Sequence, residues 1–238
     1  MSAPPQPPFG PDQIDSLITL NRALLNQHLL RGVAHDLRNN LQVVALGSSL
    51  GDEDRGSAIA VKVDRALDEM VATLDLLSHL GRTPGDEPAD SSLPLILDEL
   101  RQLSDLQRNL PTLRLAITPP PAAGPVLVAA PRSLLLQVLL NLVSNAKEAT
   151  GRPTEQVEVT ATMPMEGRIA IMVDDSGPGR EAPVGTPLAT SKDRGGHGGL
   201  GVFCCRVIVE RLGGTIDWTP RPEGGLRARL VLPISDRG

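Results

Sequence analysis

The sequence predicts an α+β protein. An N-terminal antiparallel helical hairpin, which a second copy completes into a dimeric four-helix bundle, is followed by an α/β sandwich built on one mixed sheet. Two observations lead there. Apolar residues recur at spacings of three and four through two proline-free stretches in the first third of the chain. β-Branched residues alternate in short runs further on, between segments rich in Gly and Pro. Composition agrees: with 2 Phe, 1 Trp and no Tyr, the core has to be built from Leu, Val, Ile and Ala.

Residues 1–14 are Pro-rich and are expected to be a disordered tail. From about Asp15 to Leu50 the stripe Leu30, Val33, Leu37, Leu41 and Val44 marks a helix. "GDEDRG" at 51–56 is a turn by composition. A second helix is expected from Ser57 to Leu80, with the stripe Ile59, Val63, Leu67, Met70, Leu74 and Leu77. Such a hairpin, 15–81, buries its stripes poorly alone, and two copies packed together bury them well. Residues 82–92 read as a linker by their Pro, Gly and acid content.

The second unit is expected over 93–238. It opens with a helix at 93–109 and strands at "LRLAIT" and "PVLVAA". "PRSLLLQVLLNLVSNAKEAT" reads as a helix of about five turns with Pro131 at its first position. Strands follow at "QVEVTATM" and "RIAIMVD". The stretch 175–199 carries too many Gly and Pro for regular structure, and long loops of that kind are often functional. A helix at 200–212 and strands at "GTIDWTP" and "LRARLVLP" close the chain.

Composition also excludes. A net charge of −5 and the scarcity of aromatics argue against nucleic acid as a partner. No apolar run is long enough for a membrane span, and the N-terminus lacks the basic start and apolar core of a secretory signal. A cytoplasmic protein is expected. The adjacent Cys204 and Cys205 fit neither a redox pair nor a metal spacing, and read as reduced packing residues.

One helix carries an unusual escort. In "VAHDLRNNLQVV", with Val33 set at zero, the apolar stripe lies within roughly 80° of arc and His35 falls at about 200°. Asn39 and Gln42 lie within about 40° of His35, and Asp36 sits on the flank. A lone exposed histidine on a helix usually does nothing. Its neutral imidazole becomes a nucleophile of interest only if the chain supplies an electrophile.

Three later stretches supply one. "NLVSNAKEAT" sets Asn141 and Asn145 four apart on one helix face, offering amide oxygens to a hard cation such as Mg²⁺. "DDSGPG" places Asp175, Gly177 and Gly179 just after a strand, where a carboxylate can accept from an exocyclic amine such as that of adenine. "HGGLGV" puts Gly199, Leu200 and Gly201 where a helix begins, a place suited to phosphate. The glycine-rich segment between them can close as a lid.

In order and spacing these stretches resemble the motif boxes of bacterial two-component sensor histidine kinases: 33–44 the H box, 141–150 the N box, 175–179 the G1 box, 195–202 the G2 box. "TPLATSK" at 186–192 resembles a worn F box, and "NAKEA" the nitrogen-regulator-like variant. The resemblance covers about residues 15–233. It implies a dimerisation and phosphotransfer hairpin followed by an ATP-binding domain of the gyrase, Hsp90 and MutL type. His35 would be the phospho-acceptor and Asp36 its proton-accepting neighbour. Asn39 would orient water for dephosphorylating a partner. Asn145 would bind Mg²⁺ with Asn141 assisting, and Asp175 would read the adenine of ATP. Gly177, Gly179, Gly199, Leu200 and Gly201 would shape the nucleotide pocket and lid. The implied partners are a response-regulator receiver domain, a second copy of the chain, and a separate sensor protein to bring the signal.

The chain departs from the pattern in places. Asn40 stands where many members carry a proline, Glu148 where many carry a lysine, and Lys192 would supply the missing charge. ATP-hydrolysing branches of the superfamily have a Glu four residues before the metal-binding Asn. Asn141 stands there and cannot act as a general base, which favours transfer over hydrolysis. Two other readings stay open on sequence: a phosphotransfer hub or phosphatase with a degenerate nucleotide domain, and a superfamily ATPase or anti-sigma-like serine kinase.

Overall fold

The computed structural model describes residues 9–49, 57–80, 85, 87–105, 113–117, 126–149, 157–177 and 199–235. Helix α1 spans Pro11–Ser49 and α2 spans Ser57–Leu80. The first helix starts before the expected Asp15, so the end of the Pro-rich stretch is helical. Pro11 suits a first helical position, where its missing N–H is no loss. Gly10 donates its N–H to Gln13 Oε1 at 2.9 Å, and Ile14 N–H returns to the Gly10 carbonyl at 3.0 Å. Gly47 permits the close approach of the two helices: a Cβ there would stand 2.4 Å from Val63 Cγ2.

The apolar stripes are only partly covered. Leu29, Val33 and Asp36 are buried on α1, whereas Leu30 and Leu41 are exposed. On α2, Ala66 and Thr73 are buried while Leu67 and Leu74 are exposed. The expected stripe therefore divides into a covered edge and an uncovered one. Two helices can cover only one flank of each other, so periodicity alone cannot tell the flanks apart.

The rest of the chain folds as β1 (Ser91–Ser92), α3 (Leu93–Asp105), β2 (Leu113–Ile117), β3 (Leu127–Val128), α4 (Arg132–Ala149), β4 (Val157–Met165), β5 (Arg168–Asp174), α5 (Leu200–Arg211), β6 (Thr215–Pro220) and β7 (Leu226–Pro233). The main sheet has the order β2-β4-β5-β7-β6. It is mixed: β2 runs parallel to β4 and the other neighbours are antiparallel. Along β4, Val157, Val159 and Ala161 are buried and the residues between them are half-buried. That alternation belongs to a sheet with one face packed on helices. Cys204 and Cys205 are buried, free thiols in the layer above it, and burial pushes the Cys204 thiol up to about 12.

Two local expectations change. "PVLVAA" does not join the main sheet. Its Leu127–Val128 pairs antiparallel with Ser91–Ser92, the end of the expected linker, and Ser91 Oγ donates to the Ala130 carbonyl at 2.6 Å. Pro131 precedes α4 rather than opening it: its carbonyl already accepts from Leu135 N–H at 3.1 Å.

The N-terminal part of α1 packs on α4 and α5. Phe9 meets the Phe203 ring edge-on at 5.7 Å between centroids, Cys204 Sγ lies 3.6 Å from the Leu17 carbonyl, and Asp15 pairs with Arg211. Ile18 and Leu29 belong to the same buried cluster as the sandwich core. The helix that carries His35 is thus anchored at its other end on the second unit.

Candidate phosphotransfer and nucleotide site

His35 stands on the outer side of α1 with its side chain 65% exposed, while the side chain of its neighbour Asp36 is only 11% exposed. His35 Nδ1 lies 3.2 Å from Asp36 Oδ1 and 3.2 Å from Asn39 Nδ2. A neutral imidazole cannot satisfy both at once. Asp36 accepts only if Nδ1 carries the proton, whereas Asn39 donates only if Nδ1 carries a lone pair. The three side chains expected to act together do meet, and the helical spacing of one and four residues brings this about.

At the other site, β5 ends in Asp174 and Asp175, both buried. The β5/β7 register sets Asp174 opposite Arg227. Arg227 grips it with two bonds, Nε to Oδ1 at 2.7 Å and Nη2 to Oδ2 at 2.6 Å. Asp175 Oδ1 accepts the N–H of Gly177 at 2.9 Å and of Leu226 at 3.2 Å. Arg221 Nη1 donates to the Asp175 carbonyl at 2.8 Å. Burial raises the Asp175 carboxyl above its ordinary range, against the pull of those two N–H groups and Arg221. Among the described residues, the hydrogen bonds to the Asp175 carboxylate all fall on Oδ1, which leaves Oδ2 for a ligand.

Glycine is required around it. Gly177 sits against Ala149 at the end of α4, where a Cβ would stand 2.7 Å from the carbonyl oxygen. Gly225, at φ +89°, would place a Cβ 1.9 Å from the Asp175 carbonyl oxygen. Gly199 caps α5 in the left-handed region at φ 78°, and Leu200 behind it is buried. A Cβ at Gly201 would stand 2.7 Å from Asn141 Oδ1. Of these three residues, Gly201 is the one that lies against the α4 asparagine Asn141. Gly179 and Lys192 lie outside the described residues.

The two asparagines of α4 differ. Asn145 is exposed. Asn141 is buried and makes a reciprocal amide pair with Asn21 of α1: Asn21 Nδ2 donates to Asn141 Oδ1 at 3.0 Å and Asn141 Nδ2 donates back at 2.8 Å. Gln137, one turn before, donates to Asn21 Oδ1 at 2.8 Å and to the Ile18 carbonyl at 2.9 Å. The Asn141 oxygen thus already serves a donor from the hairpin. Sequence reasoning missed Asn21, Gln137, Arg221, Gly225 and Arg227. The Gly224–Gly225 pair could have marked a close approach; Asn21 carries no local signal at all.

Residues 130–236 match a family model described as histidine kinase-, DNA gyrase B-, and HSP90-like ATPase. The chain is 30% identical over 218 residues to the sensor histidine kinase ZraS of Klebsiella oxytoca, covering 87% of this chain and 46% of that protein. It is 33% identical over 233 residues to the adaptive-response sensory kinase SasA of Parasynechococcus marenigrum, covering 90% and 58%. The solved catalytic domain of the histidine kinase ThkA is 27% identical, with a TM-score of 0.49 over 60% of this chain and 93% of that one. The chain spans about half the length of the curated relatives it matches. Its C-terminal half matches the ATPase family, and sensor kinases align across hairpin and sheet alike: the chain belongs to the two-component sensor histidine kinases, within the gyrase-B- and Hsp90-like ATPase superfamily.

Proposed function

We propose that this chain is a protein-histidine kinase that takes the γ-phosphoryl group of Mg-ATP onto His35 and passes it to an aspartate of a response-regulator receiver domain. The observation that carries the reading is the double contact at His35 Nδ1. When Asp36 accepts the Nδ1 proton, the Nε2 lone pair of the exposed ring is available. Attack by Nε2 forms the N–P bond and breaks the bond from the γ-phosphorus to the bridging oxygen, so ADP leaves. The Nδ1 proton, made more acidic by the new bond, passes toward the Asp36 carboxylate. When Asn39 donates to Nδ1 instead, Nε2 holds the proton and the ring is no nucleophile. Asn39 is then placed to position water for the reverse, dephosphorylating role.

The nucleotide reading follows the same residues. Asp175 Oδ2 accepts the adenine amine, and Gly177, Gly199 and Gly201 keep the backbone open to the phosphates. Asn145 is an exposed amide oxygen donor of the kind that suits Mg²⁺, which completes its shell with waters and substrate phosphates. Mg²⁺ there would neutralise charge on the phosphate oxygens. A second copy of the chain would cover the exposed Leu30, Leu41, Leu67 and Leu74 of the hairpin.

The test is incubation of purified chain with ATP labelled at the γ-phosphate. The expected product is label that is acid-labile, base-stable and absent in His35→Ala. Acid-stable label, or free phosphate with no labelled chain, would overturn the reading.

A further inference from the structure

Asp174 and Asp175 set two buried carboxylates side by side at the end of β5. Neighbouring carboxylates oppose each other's ionisation, so positive charge has to be supplied. Arg221 and Arg227 supply it, and they divide it unequally. Arg227 grips both oxygens of Asp174, at 2.7 and 2.6 Å. Arg221 Nε stands 3.8 Å from Asp174 and is buried with no hydrogen-bond partner. Its Nη1 instead holds the Asp175 carbonyl at 2.8 Å, and its Nη2 reaches Glu223 at 2.6 Å. The Arg221 side chain is 18% exposed, whereas that of Glu223 is 62% exposed and is shared with water. Of the two arginines, Arg221 is the one whose charge is left for Asp175.

The turn between β6 and β7 fixes it there. Arg221 N–H donates to the Gly225 carbonyl at 3.1 Å, and Gly224 N–H returns to the Arg221 carbonyl at 3.1 Å. Asp175 N–H donates to the Leu226 carbonyl at 3.0 Å, and Leu226 N–H donates to Asp175 Oδ1 at 3.2 Å. One short turn thus holds Asp175 at its N–H, its carbonyl and one carboxylate oxygen. Burial and the neighbouring Asp174 favour a proton on Asp175, while Arg221 and the two N–H groups favour the carboxylate. Glu223 acts on Asp175 through Arg221, and Glu158 stands opposite Asp174 on β4. The end of α4 beside Gly177 carries Lys147 and Glu148, of opposite sign.

That balance decides which base Oδ2 can meet. An ionised carboxylate oxygen only accepts, whereas a protonated one donates. A 6-aminopurine such as adenine presents an N–H donor at this edge, and a 6-oxopurine presents an acceptor. We propose that Arg221 is a positioning residue that sets the choice of base: its guanidinium keeps Asp175 Oδ2 an acceptor, so that the pocket takes a 6-aminopurine nucleotide in preference to its 6-oxo counterpart. The proposal rests on the reading of Asp175 as the contact to the base.

The experiment measures binding of ATP and of inosine triphosphate to the full chain, with Mg²⁺, across the acidic to neutral range. The triphosphate is common to both ligands, and comparing variants at equal pH cancels the titration of the bases. The parent chain should prefer ATP about tenfold at neutral pH, and the preference should fall as pH falls. Arg221→Met, which keeps bulk and drops charge, should lose the preference at a higher pH than the parent. Arg221→Lys should restore the parent profile. If Arg221→Met does not fold, Glu223→Gln at the exposed end of the turn frees Arg221 and should carry the preference to lower pH. A preference independent of pH, a parent-like profile in Arg221→Met, equal displacement in Arg221→Lys, or an unmoved profile in Glu223→Gln would overturn the role of Arg221. Asp175→Asn puts an amide donor in place of Oδ2 and should favour inosine triphosphate. If it keeps the parent's preference, or if the parent binds neither nucleotide, the base contact itself is refuted and the proposal falls with it. Inversion in Asp175→Asn beside a parent-like Arg221→Met would defeat the proposal alone.

Discussion

Asn21 and Asn141, 120 residues apart in sequence, face each other with both amides engaged, at 3.0 Å in one direction and 2.8 Å in the other. The first stands on the helix that carries the proposed phospho-acceptor. The second stands in the asparagine pair proposed to serve ATP. Asn21→Ala should release the Asn141 oxygen and raise the initial rate of His35 labelling several-fold. It should also lower stability by about 1–3 kcal/mol, because Asn141 and Gln137 lose a buried partner. Labelling kinetics and chemical denaturation check both parts; an unchanged rate would mean that the pairing restrains nothing.

Asp36 and Asn39 compete for the same ring nitrogen, so their variants should separate the two directions of phosphoryl flow. Asp36→Asn should slow autophosphorylation by about 10²–10⁴, the range of a lost proton acceptor, and leave dephosphorylation of the receiver nearly intact. Asn39→Ala should do the reverse. Rates measured with the same labelled receiver compare them directly, and equal loss of both in Asn39→Ala would remove its separate role.

Asn145 is exposed and Asn141 is buried, so they should not respond alike. Asn145→Ala should abolish Mg²⁺-dependent ATP binding in calorimetry while the mass of the assembly in solution stays that of the parent chain. ATP affinity equal to that of the parent chain would refute the metal assignment.

Asp175 has its carboxyl raised first by burial. A carboxyl with a raised folded-state value binds its proton more tightly folded than unfolded. Its favourable contribution is therefore complete below the unfolded value and fades as pH rises through the folded one. Asp175→Asn keeps an oxygen for Gly177 and Leu226 but carries no charge. Its melting temperature relative to the parent chain should rise with pH across the acidic range and level off once the parent carboxyl is ionised. Adenine discrimination should fall at the same time. A difference that shrinks with rising pH would contradict the burial argument.

Gly225 sits at φ +89° with the Asp175 carbonyl where its Cβ would be. Gly225→Ala should cost at least about 1–2 kcal/mol from the left-handed backbone alone, with the clash added. Urea denaturation would read the loss. A mutant as stable as the parent would show that the turn between β6 and β7 adapts.

By itself the sequence determined most of the elements and named the candidate residues for the chemistry. Spacings of three and four forecast both hairpin helices, alternation forecast β4 and β5, and contiguous motifs named His35, Asp36, Asn39, Asp175 and the glycines around it. These are local properties, because neighbours at fixed helical or strand spacing meet whatever the rest of the chain does. Only tertiary structure decided which flank of each stripe is covered, that Ser91–Ser92 pairs with Leu127–Val128, and that Arg227 grips Asp174. It alone placed Asn21 on Asn141 and Arg221 on the Asp175 carbonyl. Those pairings join residues far apart along the chain, and a polar side chain on a helix reads the same in sequence whether it meets water or a distant partner.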